Sequence, residues 1–371
     1  MKIVADCDIP FVGHYFGSLG ELVLCTGRNL NRELVHTADI LLVRSVTKVN
    51  QALLQGTAVK WVGSVSTGQD HLDTAWLTAE GIRWATTAGF NSIPVVEYVF
   101  CVIACLQKKG VLPPFPFKAG IVGAGRIGQK IIDLLRVFGC SVFISDPLRE
   151  AQEEGFVSTR LEDFSDLDFI TLHTPLTREG AYPTYHFINQ NFLKRQRSNT
   201  VLLNTSRGSV LSFLDLKKAG GHLRWCLDVW ENEPYIDPAV LKETFIATPH
   251  IAGYSVQAKY RGTEWIYRAA CAAGVIAETA STILLSPPGQ TLIFPEAKTW
   301  QDIVLRLFDP YVLTQETQKR LLNCEGTEGV FDEMRRMFKH RNEFAYITTE
   351  NLVLDAYDRV CLQKLGFLLE E

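Results

Sequence analysis

Several absences narrow the chain before any motif is considered. No apolar run is long enough for a bilayer crossing. The most apolar stretch, Val95 to Leu106, is short and carries Glu97, whereas a spanning helix needs about 20 apolar residues. Positive charge is not in excess: 37 Lys and Arg face 41 Asp and Glu, a net charge of -4. Neither nucleic acid nor an anionic membrane surface is therefore expected as a partner. The nine cysteines lack zinc-like pairing, so no metal site is expected. Cys101 and Cys105, one helical turn apart inside the apolar stretch, read as core residues. There is no internal repeat and no low-complexity tract. The opening Met1-Lys2-Ile3-Val4-Ala5-Asp6 reads as a strand entering a turn, without a signal-peptide layout. Together with unpaired cysteines this gives a cytoplasmic protein as the expectation.

What remains is a globular composition, 47% apolar and 21% charged, over 371 residues. That length implies two or three domains. Residues 1 to 90 alternate short apolar runs with helical segments. Strands are expected at Ile3–Asp6, Glu21–Cys25, Ile40–Ser45, Lys60–Val65 and Arg83–Thr87. Pro94 opens a helix running to Gln107, and the proline-bearing stretch Gly110 to Phe117 reads as a hinge-like connection. The alternation resumes with strands at Lys118–Val122, Ser141–Ser145, Phe169–His173, Val201–Asn204, Arg224–Val229 and Phe245–Ala247. A long helix is expected near Gln257–Glu278, followed by a Pro-Pro-Gly break at 287–289. Beyond it, Trp300–Leu307, Thr314–Leu322 and Leu352–Leu365 have helical spacing and Ala345–Thr348 resembles a strand. The fold class is α/β: two doubly wound parallel-sheet domains, one flavodoxin-like and one of Rossmann type, plus a small C-terminal α+β domain.

The second series of strands opens on Gly120-Ile121-Val122-Gly123-Ala124-Gly125-Arg126-Ile127-Gly128. Gly123, Gly125 and Gly128 have the spacing of a dinucleotide-binding turn. The first permits the sharp turn, the second lets a pyrophosphate approach the backbone, and the third lets the helix pack on its strand. Arg126 and Ile127 lie in the first turn of that helix, whose opening amides attract phosphate. The next strand ends in Asp146, placed to accept ribose hydroxyls and so to favour NAD; nearby Arg149 leaves NADP open.

The later strand ends collect unusual chemistry. Val201–Asn204 runs into Thr205-Ser206-Arg207-Gly208, Cys226–Val229 runs through Asp228 towards Glu233-Pro234, and Ile246-Ala247-Thr248-Pro249 delivers His250. A base with a pKa near neutrality, a carboxylate to orient it and a planar cation for a substrate anion suit oxidation of a 2-hydroxy acid. His250, Glu233 and Arg207 are the candidates. His173, before Thr174-Pro175, competes as the base but follows an earlier strand and lacks a Glu partner. In the first domain, Arg44-Ser45-Val46-Thr47-Lys48 and Ser64–Asp70 read as anion sites at strand ends.

At these residues the sequence resembles the D-isomer-specific 2-hydroxyacid dehydrogenase family. The resemblance rests on the glycine loop, Ser145-Asp146-Pro147, His173-Thr174-Pro175-Leu176, Arg207-Gly208, Asp228–Pro234 and Pro249-His250. In further stretches it resembles a subgroup acting on phosphorylated 2-hydroxy acids: Val43–Asn50, Ser66–Asp73, Val96–Phe100, His250–Ser255 and the tail Lys364-Leu365-Gly366-Phe367. The resemblance implies catalytic roles for Arg207, Glu233 and His250. It implies NAD contacts at Asp146, Thr174, Thr205, Asp228 and Gly253, and substrate contacts at Ser45, Thr67 and Tyr254. It also implies a homodimer held by a C-terminal dimerisation domain. Domain boundaries follow as 1–93 with 254–285 for the substrate domain, 94–253 for the NAD domain and 286–371 for the dimerisation domain. Ser66 and Gln69 stand where the family more often has Ala and Thr. For the phosphate end of the substrate, Arg44 and Lys48 are candidates, with Arg341 of the partner subunit as a third. Two other functions stay open: a sibling dehydrogenase for a three-carbon phosphorylated acid, and a non-catalytic NAD-responsive binding protein on the same fold.

Overall fold

A computed structural model describes residues 1–278, 287–350 and 352–369. The chain divides into two compact units, Met1–Asn91 with Ser255–Pro288, and Ser92–Tyr254 with Gly289–Glu371.

The first unit is a five-stranded parallel sheet: β1 (Lys2–Asp6), β2 (Glu21–Cys25), β3 (Ile40–Val43), β4 (Trp61–Ser64) and β5 (Arg83–Thr86), in the order β2-β1-β3-β4-β5. Alternation along the strands sends side chains to opposite faces. Ile3, Ala5, Ile40, Leu42 and Trp61 join Ile266, Tyr267 and Ala270 of the helix Val256–Ala272. Val4, Leu41, Val43 and Val62 join Val35, Leu53 and Leu77 on the other face. Both faces are covered, which is why β3 is apolar without interruption and β4 is buried along its whole length. β3 stops short of the expected Ser45 because Arg44 turns its guanidinium onto Asp6 and Asp8. The long helix ends at Ala272, and Gly274 follows in the left-handed region.

The second unit holds a six-stranded parallel sheet: β6 (Lys118–Val122), β7 (Ser141–Ser145), β8 (Phe169–Leu172), β9 (Val201–Asn204), β10 (Arg224–Leu227) and β11 (Ile246–Ala247). Its order is β11-β10-β9-β8-β6-β7, so strand order reverses beside β6, whose carboxyl end carries the glycine loop. Such switch points are where nucleotides bind in open α/β sheets. The C-terminal segment adds β12 (Gln290–Ile293), β13 (Ile347–Glu350) and β14 (Leu368–Leu369) as a separate parallel sheet. It also adds the helices Trp300–Leu307, Pro310–Leu322, Glu328–Met337 and Ala356–Leu365.

The segment expected to stand as a third domain shares an apolar core with the nucleotide-type sheet. Trp300, Ile303, Phe344 and Leu362 belong to one cluster with Val99, Ile103, Ile121 and Leu135. The helix Ser92–Lys108 is buried between the two, and Cys101 and Cys105 are part of that core. Burying each such Val, Leu, Ile or Phe contributes about 1.5–3 kcal/mol, which favours one folding unit. The stretch read as hinge-like lies within this unit: Phe115 stacks on Phe117, Phe138 and Trp300. The boundary expected at 285/286 lies outside the described residues. Among the described residues, no helix is long and apolar enough to cross a membrane.

Candidate active site

The glycine loop has the shape its spacing demands. Gly123 sits at φ 91°, and a Cβ there would stand 2.8 Å from the His173 carbonyl oxygen. A Cβ on Gly128 would come within 1.9 Å of the Gly123 carbonyl oxygen, so only glycine lets the helix Arg126–Val137 close on its strand. Gly125 has open space where a Cβ would go, and no side chain caps the helix it precedes. Uncapped amides at the positive end of a helix dipole suit a pyrophosphate. Arg126 is exposed and Ile127 half-buried beside it.

Asp146, at the end of β7, accepts a hydrogen bond from the Ala124 amide at 2.8 Å and from the Arg149 amide at 3.0 Å. This ties the Asp146 carboxylate to the loop. Arg149 donates to the Ala124 carbonyl and Gln129, and its charge is paired with Glu153 at 2.7 Å. Thr174 presents a buried hydroxyl without a hydrogen-bond partner. Buried polar atoms are normally satisfied, and a cofactor amide or hydroxyl would satisfy this one. The glycine cradle and the orphan hydroxyl both fit a dinucleotide.

Arg207, Glu233 and His250 follow β9, β10 and β11, three neighbouring strands. A Cβ on Gly208 would overlap the backbone of Trp230 and Glu231, so the glycine seats the Arg207 turn directly on the segment that leads to Glu233. The Arg207 Nη1 donates to the Ser206 carbonyl. His250 holds φ 55°, a costly conformation for a residue with a Cβ. It is imposed by Asp228. The Asp228 carbonyl accepts from the His250 amide at 2.7 Å, and its carboxylate accepts from Thr248 and from the amides of Ile251 and Ala252. The expected cofactor contact Asp228 is thus buried beneath the turn and builds it, with burial pushing its carboxyl up.

The Nδ1 of His250 lies 2.5 Å from Glu233 Oε1. Glu233 Oε2 accepts from the Trp230 amide, and the Trp230 indole donates to the Thr248 carbonyl. Burial pushes the Glu233 carboxyl up, but His250, its hydrogen bond and the charge of Arg335 together hold it below the usual carboxylate range. An ionised Glu233 accepts a hydrogen bond from Nδ1–H, which leaves the Nε2 lone pair as the base. His173 differs. Its ring faces Thr171 and Thr205, and burial pushes it down to about 3.

Gly253 and Tyr254 complete the turn after His250, and the Tyr254 amide donates to the Ile251 carbonyl. The Tyr254 ring stacks on His340 at 5.2 Å and meets Phe338 at 6.3 Å, while the Arg335 guanidinium lies 5.9 Å from its centre. Phe338 and His340 flank the candidate Arg341 in the sequence, whereas Arg335 is not singled out there. The available signal was Phe331, Met334 and Arg335 at i, i+3 and i+4, a cation sharing the buried side of a helix.

The phosphate candidates separate. Arg341 is buried, ion-paired with Glu97, and donates to the Pro94 carbonyl at 2.7 Å. Glu97 also accepts from the Phe344 amide. Arg341 therefore fastens the C-terminal segment to the helix Ser92–Lys108, and a guanidinium enclosed this way is not presented to a ligand. In the first unit, Arg44 spends two nitrogens on Asp6 and Asp8, at 2.8 and 2.6 Å. Ser45 and Lys48 are exposed, and the exposed Thr67 donates to Asn91 at 2.5 Å.

Comparison with known proteins gives this geometry its context. Residues 116–252 match the model of the D-isomer specific 2-hydroxyacid dehydrogenase, NAD binding domain. Erythronate-4-phosphate dehydrogenase of Coxiella burnetii is 42% identical over 350 residues, 94% of each chain. Those of Cellvibrio japonicus and Salmonella arizonae are 38% and 36% identical, covering 93% and 99% of this chain and 93% and 98% of theirs. Among solved structures, the D-lactate dehydrogenase of Aquifex aeolicus complexed with NAD and lactic acid superposes with a TM-score of 0.62 at 23% identity. That match covers 74% of this chain and 96% of the other. The NAD-bound 3-phosphoglycerate dehydrogenase of Entamoeba histolytica gives 0.62 at 20% identity, covering 77% and 99%. The chain belongs to the erythronate-4-phosphate dehydrogenase family, NAD-dependent enzymes of the D-isomer-specific 2-hydroxyacid dehydrogenase type.

Proposed function

We propose that the protein oxidises 4-phospho-D-erythronate with NAD to (R)-3-hydroxy-2-oxo-4-phosphooxybutanoate, a step of pyridoxal 5′-phosphate (vitamin B6) biosynthesis. The observation that supports the dehydrogenase chemistry is the 2.5 Å contact between His250 Nδ1 and Glu233, which prepares Nε2 as a base, and the likeness to erythronate-4-phosphate dehydrogenases supports the substrate. When bound, the nicotinamide supplies the hydride acceptor. Nε2 takes the proton of the 2-hydroxyl as the C2 hydrogen leaves with its electron pair, and Glu233 stabilises the imidazolium that forms. Arg207 grips the carboxylate and the emerging carbonyl with its planar donor fork.

In this reading Gly123, Gly125, Arg126, Ile127 and Gly128 hold the pyrophosphate, Asp146 the adenosine ribose, and Thr174, Thr205 and Gly253 the nicotinamide half. Asp228 acts by shaping the turn that carries His250. Ser45, Thr67 and Tyr254 contact substrate, and of the two first-unit candidates Arg44 is paired while Lys48 is exposed and can assist at the phosphate. Arg149, paired with Glu153, is not free to welcome a 2′-phosphate, which supports NAD over NADP. The protein works as a cytoplasmic homodimer. Nine cysteines without a disulfide suit a reducing compartment, and Ile293, Val353 and Leu368 leave apolar surface on the C-terminal segment.

The test is NADH absorbance with erythronate 4-phosphate beside 3-phosphoglycerate, each with NAD and NADP. Turnover of the four-carbon acid with NAD is the expected result. Preference for 3-phosphoglycerate would make the enzyme a sibling dehydrogenase, and no turnover with either would favour an NAD-responsive binding protein.

A further inference from the structure

Three arginines bear on the anion problem, and two are already neutralised. Arg44 is held by Asp6 and Asp8, and Arg341 by Glu97. Arg335 is held more loosely, hydrogen-bonded to Tyr254 and facing the charges of Glu233 and Asp332. It lies on the helix Glu328–Met337, which Phe331 and Met334 anchor in the core. Its side chain is only 15% exposed, and its ion pair with Asp332 spans 3.9 Å, the outer limit for such a contact. Its Nε is buried without a hydrogen-bond partner. A buried donor left unmade is costly and calls for an explanation.

The surroundings supply one. The guanidinium lies 5.9 Å from the centre of the Tyr254 ring, within cation–π range, and Glu233 feels its charge. The C-terminal segment thus brings a cation beside the residues that surround His250, within the same chain. A phosphorylated hydroxy acid carries two anionic ends. If Arg207 takes the carboxylate, the phosphate needs a second donor fork, and guanidinium matches phosphate oxygens in geometry and charge. We propose that Arg335, beside Tyr254, receives the phosphate group of the substrate, so that the C-terminal segment is a specificity element of its own subunit's active site. This rests on the proposed function above.

The experiment uses full-length protein carrying Arg335→Gln or Arg335→Lys. It measures the KM of erythronate 4-phosphate, the competitive inhibition constant of unphosphorylated erythronate, and NADH affinity by fluorescence. Arg335→Gln is expected to raise the KM roughly 10- to 100-fold, the loss of one charge-assisted contact. The erythronate constant and NADH affinity should stay unchanged, and Arg335→Lys should recover part of the loss. An unchanged KM would overturn the proposal. So would equal losses for the phosphorylated and unphosphorylated acids, which would make Arg335 a positioning residue for Glu233. Wild-type turnover of erythronate 4-phosphate in the same assay tests the functional reading separately. If the wild type prefers another phosphorylated hydroxy acid, the same comparison applies to that acid and its unphosphorylated form.

Discussion

His250 is held from two directions, by Glu233 on its ring and by Asp228 on its backbone. The first sets which nitrogen is basic; the second sets where the ring stands. Asp228 could not be assigned this role from sequence, because its acceptors reach amides 23 and 24 residues later. The same blindness applied to Arg44, whose partner Asp6 lies 38 residues away, and to Arg341, whose partner Glu97 lies 244 residues away. The residue types at a strand end state what chemistry is available. They do not state which charges are already spent. His173 gives a pH prediction of its own. Burial depresses its folded-state pKa below the value of about 6.5 in an unfolded chain. Below pH 6.5 the unfolded chain therefore binds a proton that the native state refuses, and stability is lost as pH falls from there towards 3. Urea unfolding at pH 7 and pH 5 should show a smaller loss for His173→Gln than for the wild type.

At the scale of elements, the glycine loop was the most legible part of the chain. Its requirements are local: a turn, an open approach and a close helix, all within six residues of backbone. The strands Glu21–Cys25, Lys118–Val122, Ser141–Ser145 and Val201–Asn204 likewise stand where their apolar runs placed them. The helix Glu328–Met337 was not legible, because Asp332, Glu333, Arg335 and Arg336 crowd a short segment and hide its apolar anchors Phe331 and Met334. The loop yields a paired prediction. Gly125→Val meets open space at an ordinary φ of -74°, so it should leave thermal stability nearly unchanged while raising the KM for NAD about tenfold or more. Gly128→Ala forces a Cβ onto the Gly123 carbonyl and should cost about 1–3 kcal/mol of stability. The reverse pattern would mean that the open space beside Gly125 is not where the pyrophosphate lies.

For the whole molecule, the instructive feature is the division into cores. The Pro-Pro-Gly break at 287–289 marks off a separate appendage in the sequence, yet Trp300, Ile303, Phe344 and Leu362 complete the core built on the helix Ser92–Lys108. A shared core depends on long-range packing, which local periodicity does not report. The Glu97–Arg341 pair locks this arrangement electrostatically. Removing one member of a buried pair leaves the other uncompensated, so Arg341→Met should cost about 3–5 kcal/mol in denaturant unfolding of the second unit. Its substrate KM, measured where the variant remains folded, should match the wild type. A raised KM with undiminished stability would return Arg341 to the substrate site.

The proposed oxidation depends most directly on His250 as the base that receives the substrate proton. Steady-state turnover of His250→Gln with NAD and erythronate 4-phosphate tests it. General-base catalysis of this kind is worth about 10²- to 10⁴-fold, so kcat should fall by that order while the KM for NAD stays near the wild-type value. Full turnover by His250→Gln would contradict a role for His250 as the base.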